Sequence, residues 1–116
     1  MYLISDFIAV VRELLKDEEV GAYRYTDESL VRILNVGITV LRDKRPDAFF
    51  ITQKMVVYTV SDFTKEFPLP INFFSPMAYF VTGYAELRDD EYSDDSRATS
   101  LISKFEMEIG ASNVPR

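Results

Sequence analysis

Apolar residues recur at helical spacing in four stretches of the chain, separated by polar or turn-forming intervals. In the first stretch Phe7, Ile8, Val11, Leu14 and Leu15 share one face, the pattern of an amphipathic helix. Ser5 or Asp6 can cap it by accepting a hydrogen bond from a free backbone N–H. Lys16-Asp17-Glu18-Glu19 is polar and Gly21 breaks the pattern, so the helix ends near Lys16 or Asp17. The second stretch is the clearest, with Leu30, Ile33, Leu34, Gly37, Ile38 and Leu41 in one stripe. Thr26 is its N-cap, and Asp27 and Glu28 sit in the positive first turn. Arg42, Lys44 and Arg45 complement its negative end, and Pro46 stops it by pushing the preceding residue out of helical geometry. Val36 and Val40 add apolar surface on another side. Such a helix is expected in the middle of a bundle, or facing a partner as well as the core.

Residues 46–75 read differently. Met55 to Val60 is apolar and β-branched, Ser61-Asp62-Phe63 can turn the chain, and Thr64 to Phe67 can return before Pro68-Leu69-Pro70. This predicts a β-hairpin whose return strand is an edge, since proline cannot donate ladder bonds. A third helix starts at about Ser75 with Pro76 in its first turn, and Met77, Phe80, Val81, Tyr84 and Ala85 form its stripe. Gly83 allows a close helix contact. After a polar break at Asp89–Asp95, Ala98, Leu101, Ile102, Phe105 and Ile109 mark a fourth helix ending at Gly110. The predicted fold class is mainly α: a small four-helix bundle with a β-hairpin at about 54–67 inserted between helices 2 and 3. Residues 1–110 form one domain, and 111–116 form a loose tail.

Composition narrows the chemistry. The chain has 116 residues, 47% of them hydrophobic, enough for one domain with a real core. It has no cysteine, which excludes disulfides and zinc–thiolate sites. It has no histidine, which removes the commonest general base and metal ligand. No cofactor is expected. A net charge of −6 repels phosphate and argues against sequence-specific nucleic-acid binding. A helix-turn-helix reading, with Arg32, Asn35 and Arg42 on the recognition face, fails on the same ground. The N-terminus lacks the basic region of a signal peptide. No apolar run approaches the roughly 20 residues that span a bilayer. The expectation is a soluble protein inside a cell, or part of a particle made there.

The acidic cluster Asp89–Asp95 lacks the spacing and the glycine of a calcium loop. Carboxylate pairs such as Asp17/Glu19 and Glu106/Glu108 read as surface charges rather than acid–base machinery, with no apolar pocket to separate their pKa values. No phosphate loop or nucleophile elbow appears, and no enzymatic activity is expected. The aromatics stand out instead: there are nine Phe and seven Tyr, with Phe49, Phe50, Phe63, Phe67, Phe73 and Phe74 crowding the non-helical middle. They either fill the space between hairpin and helices or form a protein–protein contact, where aromatics concentrate. The candidate interface is Phe49, Phe50, Val56, Tyr58, Phe63, Phe67, Phe73, Phe74, Ile109, Val114 and Arg116.

The order Arg24-Tyr25-Thr26-Asp27-Glu28-Ser29-Leu30, Leu34-Asn35 and Arg45-Pro46-Asp47-Ala48 resembles the head-to-tail adaptor (connector) proteins of tailed bacteriophages. Phe67-Pro68-Leu69-Pro70, the aromatic helix from Tyr79 to Asp90, and a last helix with Arg97-Ala98 and Phe105 continue the resemblance over most of the chain. It implies a structural virion protein that forms a homo-oligomeric ring, typically about twelve copies, beneath the portal. The implied partners are other copies of the chain, the portal protein, and the tail or next neck protein. DNA would pass through the channel without specific binding, and no membrane is involved. Such a subunit is assembled in the host cytoplasm and resides at the virion neck. The hairpin (about 54–67) and the C-terminal segment (about 109–116) would reach the neighbours. The alternative is a helical interaction module, a regulatory or chaperone subunit with another partner.

Overall fold

A computed structural model describes residues 2–49, 56–88 and 95–111. Its helices are α1 (Ile4–Leu15), α2 (Asp27–Lys44), α3 (Phe74–Leu87) and α4 (Asp95–Ala111), with single 3-10 turns at Pro46–Ala48, Val60–Asp62 and Ile71–Phe73. The protein is mainly helical, as the periodicity predicts.

The helix at the centre is α3 rather than α2. Helices α1, α2 and α4 all pack on α3, whereas α1 and α2 touch each other only sparsely. The reason lies in composition. α3 is uncharged until Glu86 and buries Met77, Ala78, Phe80, Val81, Thr82, Gly83 and Ala85 on several sides. α2 carries Arg32, Thr39 and Asp43 on an exposed face, and Val36 is 38% exposed. Gly83 is where α4 comes close: a Cβ there would lie 2.9 Å from the Ala98 carbonyl oxygen and 3.0 Å from Ile102 Cγ1. Gly37 does the same for α2, where a Cβ would meet Met77 Sδ at 2.5 Å. Phe105 of α4 reaches Phe80 of α3 with ring centroids 4.9 Å apart.

The helix ends differ from expectation in instructive ways. α1 begins before Ser5, at Ile4, with Leu3 in the cap position. Leu3 has no acceptor side chain, so the free first-turn N–H groups find other partners: Ile4 donates to the Lys65 carbonyl (2.9 Å) and Ser5 to the Phe63 carbonyl (3.0 Å). Asp6 accepts from the Leu3 N–H at 2.8 Å. The other end closes at Lys16, which takes the left-handed conformation (φ 56°) while Asp17 N–H reaches back to the Arg12 carbonyl. Thr26 caps α2 as read, accepting from the Ser29 N–H. α4 runs through Gly110 to Ala111 rather than stopping at the glycine.

The inserted β-hairpin is not formed among the described residues, and residues 54–55 of its first strand lie outside them. Several of the backbone groups that would have paired have other partners. Asn35 takes both backbone groups of Tyr58, and Asp62 takes the Thr59 N–H at 2.8 Å. The return segment pairs with the N-terminus instead: Leu3 and Glu66 form an antiparallel bridge, and Phe67 N–H donates to the Tyr2 carbonyl at 2.8 Å. The unsatisfied start of a helix competes for these carbonyls more effectively than an isolated hairpin, which is marginal on its own.

Candidate interface

The aromatics of the middle segment divide into two groups. Phe67, Phe73 and Phe74 are buried at 7%, 0% and 9% exposure, and Ile109 is buried at 3%. Phe7, Phe67 and Phe74 form one ring cluster with centroid separations of 5.0 to 5.4 Å. Tyr2 lies on Phe74 at 4.8 Å. These four candidates are buried within the single chain. Phe49, Tyr58 and Phe63 are half-buried and pack against that core. Val56 is exposed at 52%, beside Val57 at 75%. Phe50, Val114 and Arg116 lie outside the described residues.

The exposed candidate among the described residues is therefore Val56, in the stretch Val56–Val60. It lies along α2 because the Asn35 amide holds it: Nδ2 donates to the Tyr58 carbonyl and Oδ1 accepts from the Tyr58 N–H, both at 2.9 Å. The Val60–Asp62 turn closes the far side, with Asp62 N–H bonded to the Thr59 carbonyl at 2.9 Å. Lys65 lies 2.9 Å from the Asp62 carboxylate. The Lys65 hydrogen bond, then the Thr59 N–H, holds the Asp62 carboxyl below its ordinary pKa. Burial, helped by the nearby Asp62 charge, pushes the Tyr58 hydroxyl up. A shallow groove between α2 and this stretch is lined by Glu28, Val31, Arg32, Asn35, Val57 and Tyr58. Further apolar exposure occurs at Ile71 (58%) and at Met107 on α4 (75%).

Two ionic arrangements were not foreseen. Asp17, expected on the surface, is buried at 6% beside Arg12 at 5%. Their side chains pair at 3.0 Å, and Arg12 also binds Asp27 at 2.6 Å. Asp17 accepts the N–H groups of Arg24 and Tyr25 at 2.8 and 3.0 Å, and the Arg12 guanidinium lies 3.6 Å from the Tyr23 ring centre. This set folds the α1–α2 loop and has no free acid–base group to offer. The second joins Glu86 of α3 to Arg97 of α4, with Arg97 also donating to the Leu14 carbonyl of α1 at 2.7 Å. Only the first had a signal in the sequence: Arg12 lies four residues after Ile8 and three before Leu15, on the apolar face of α1, whereas Glu86 lies off the apolar stripe of α3.

Several residues between Arg24 and Asp47 act together here. Tyr25 is buried, Thr26 caps α2, and Asn35 holds the connecting segment. Arg45 makes two hydrogen bonds to the Asp47 carboxylate, at 2.9 and 2.8 Å, and reaches the Ile109 carbonyl of α4. That hydrogen bond to Asp47 is the main cause raising the Arg45 pKa. No group of three or more acidic residues that could hold a metal occurs among the described residues. No helix among them is long and apolar enough to cross a membrane. The Asp89–Asp95 cluster falls almost wholly outside them. The fold and these contacts define a class, a mainly helical domain with an exposed apolar connecting segment. Comparison with protein-family models, curated proteins and solved structures gives no match in any of the three.

Proposed function

We propose that the chain is a head-to-tail adaptor subunit of a tailed phage. It forms a ring beneath the portal, extends the DNA channel and docks the tail. The observation that carries the reading is the joint role of the motif residues. Thr26, Asn35, Arg45 and Asp47 mark the start, middle and stop of α2, and they tie α2 to the connecting segment and to α4. These are residues on which the reading rests, and in this chain they join the helical body to the connecting segment. That part presents Val56 and Val57 to solvent, the kind of exposed apolar surface that marks a protein contact. The net charge of −6 suits a channel wall along which DNA slides by repulsion.

The test is to incubate the full chain with purified portal rings and image the product. A ring of this chain stacked on the portal is the expected result. Portal rings that stay bare, or a stable complex of the chain with a soluble non-virion protein, would end the proposal in favour of a different interaction module.

A further inference from the structure

Residues 56–58 and the residues that follow them are held to the helical body in different ways. Among the described residues, the only hydrogen bonds between residues 56–60 and a helix are the two that join the Asn35 amide to the Tyr58 backbone. Both are part-buried and neither partner is charged. Val56 and Val57 are exposed and bury little apolar surface. The Tyr58 ring, half-buried, packs against the core. From Thr59 onward the chain closes on itself and on α1. The Asp62 carboxylate accepts the Thr59 N–H, the Asp62 N–H donates to the Thr59 carbonyl, and the carbonyls of Phe63 and Lys65 accept from the first turn of α1. One side of Thr59 is thus a self-contained turn, and the other rests on a single α2 side chain. A stretch with few buried apolar contacts and solvent-accessible hydrogen bonds opens locally at far lower free energy than the whole chain unfolds.

We infer that Asn35 is a latch and that residues 56–58 are a strap with two states. In the closed state the strap lies along α2. In the open state Tyr58 has left the amide, while helices α1 to α4 and the Val60–Asp62 turn stay formed. The chemistry of the latch suits both states. A primary amide carries a donor and an acceptor, so one side chain holds both backbone groups of one residue. Both bonds are neutral, so they hold less tightly than the charged contacts at Asp17 and Arg97. Opening needs only that Tyr58 step away from the amide. No helix hydrogen bond breaks, and water takes up the freed donor and acceptor in the shallow groove. The Tyr58 ring contacts bias the strap toward the closed state. The latch sets whether the exposed pair Val56-Val57 lies along α2 or swings away from it. It is a property of the free chain and stands whether or not the chain joins a ring.

Amide hydrogen exchange of the full chain, read by NMR in increasing urea below the unfolding midpoint, tests this. In the wild type the Tyr58 amide should exchange faster than the α3 amides and with little dependence on urea, the mark of an opening that exposes little surface. Asn35→Ala removes both bonds, and alanine keeps α2 helical. Tyr58 exchange should then rise at least about tenfold, while the Thr59 amide, closed by Asp62, and the α3 amides keep their rates. A wild-type Tyr58 amide that exchanges only through global unfolding would overturn the inference, and that measurement needs no variant. So would an Asn35→Ala chain in which Tyr58 keeps its wild-type rate, or in which the α3 amides accelerate by the same factor.

Discussion

Single residues in this molecule are placed by whether their polar groups find partners. Lys16 sits at φ 56°, a conformation that disfavours any side chain with a Cβ. Lys16→Gly is expected to raise stability by about 1 kcal/mol in urea unfolding; an unchanged or lower midpoint would contradict this account of the α1 terminus. Asp17 is the opposite case, a buried carboxylate that accepts hydrogen bonds from Arg12 and from two loop N–H groups. Truncating it leaves Arg12 buried with Asp27 as its one carboxylate partner among the described residues, so Asp17→Ala should cost about 3 kcal/mol, the low end for breaking a buried pair. A loss of only a few tenths would mean that the loop holds its shape without the carboxylate.

Elements meet here through glycine and through side chains that take the place of backbone. A Cβ at Gly37 would press on the flexible end of Met77 and on the Phe80 ring, whereas one at Gly83 would press on the Ala98 carbonyl, which belongs to the α4 backbone. Overpacking of this kind costs about 1–3 kcal/mol, partly offset by the better helix propensity of alanine. Gly83→Ala should therefore destabilise more than Gly37→Ala, and the reverse order in thermal melts would contradict the described α3–α4 approach. The connecting segment adds a pH dependence. Asp62 has a depressed pKa in the folded chain, so it binds a proton less readily than in the unfolded chain. Its contribution to the Val60–Asp62 turn is complete above the ordinary carboxylate range and is lost as pH falls through the depressed folded value. Exchange protection of the Thr59 amide should persist below the ordinary carboxylate range; loss of protection within that range would show that Lys65 and Thr59 do not hold the charge.

At the scale of the molecule, three helices pack on α3, and their outer ends are tied by arginines. Arg97 joins α4 to the end of α1 and to Glu86, and Arg45 joins the end of α2 to the end of α4. Each charged donor to a carbonyl contributes about 1.5–3 kcal/mol. Arg45→Ala should loosen the last turn of α4 first, seen as faster amide exchange near Ile109 with little change in α1. Uniform loosening of all helices would mean that Arg45 has no local role at that end.

Much of this arrangement is legible in sequence because local physics decides it. The four helices follow from apolar spacing, the Thr26 cap from its side-chain oxygen, the Pro46 stop from its ring, and the Gly83 contact from a missing Cβ in an apolar stripe. The hairpin expectation was reasonable on the β-branched run at 55–60 and failed because pairing is a competition. Asn35 and the first turn of α1 lie far away in sequence, yet Asn35 takes the Tyr58 backbone and α1 takes the carbonyls of Phe63 and Lys65, while the nearby Asp62 takes Thr59. The same holds for the interface candidates. Phe67, Phe73 and Phe74 read as core or contact alike, and only the folded chain buries all three, Phe67 and Phe74 against the Phe7 ring. Sequence alone determined which segments are helical and which chemistry the absent cysteine and histidine remove. Tertiary structure alone decided that α3 is central and that Asp17 is inside, because each depends on which distant groups reach a given backbone or side-chain atom first.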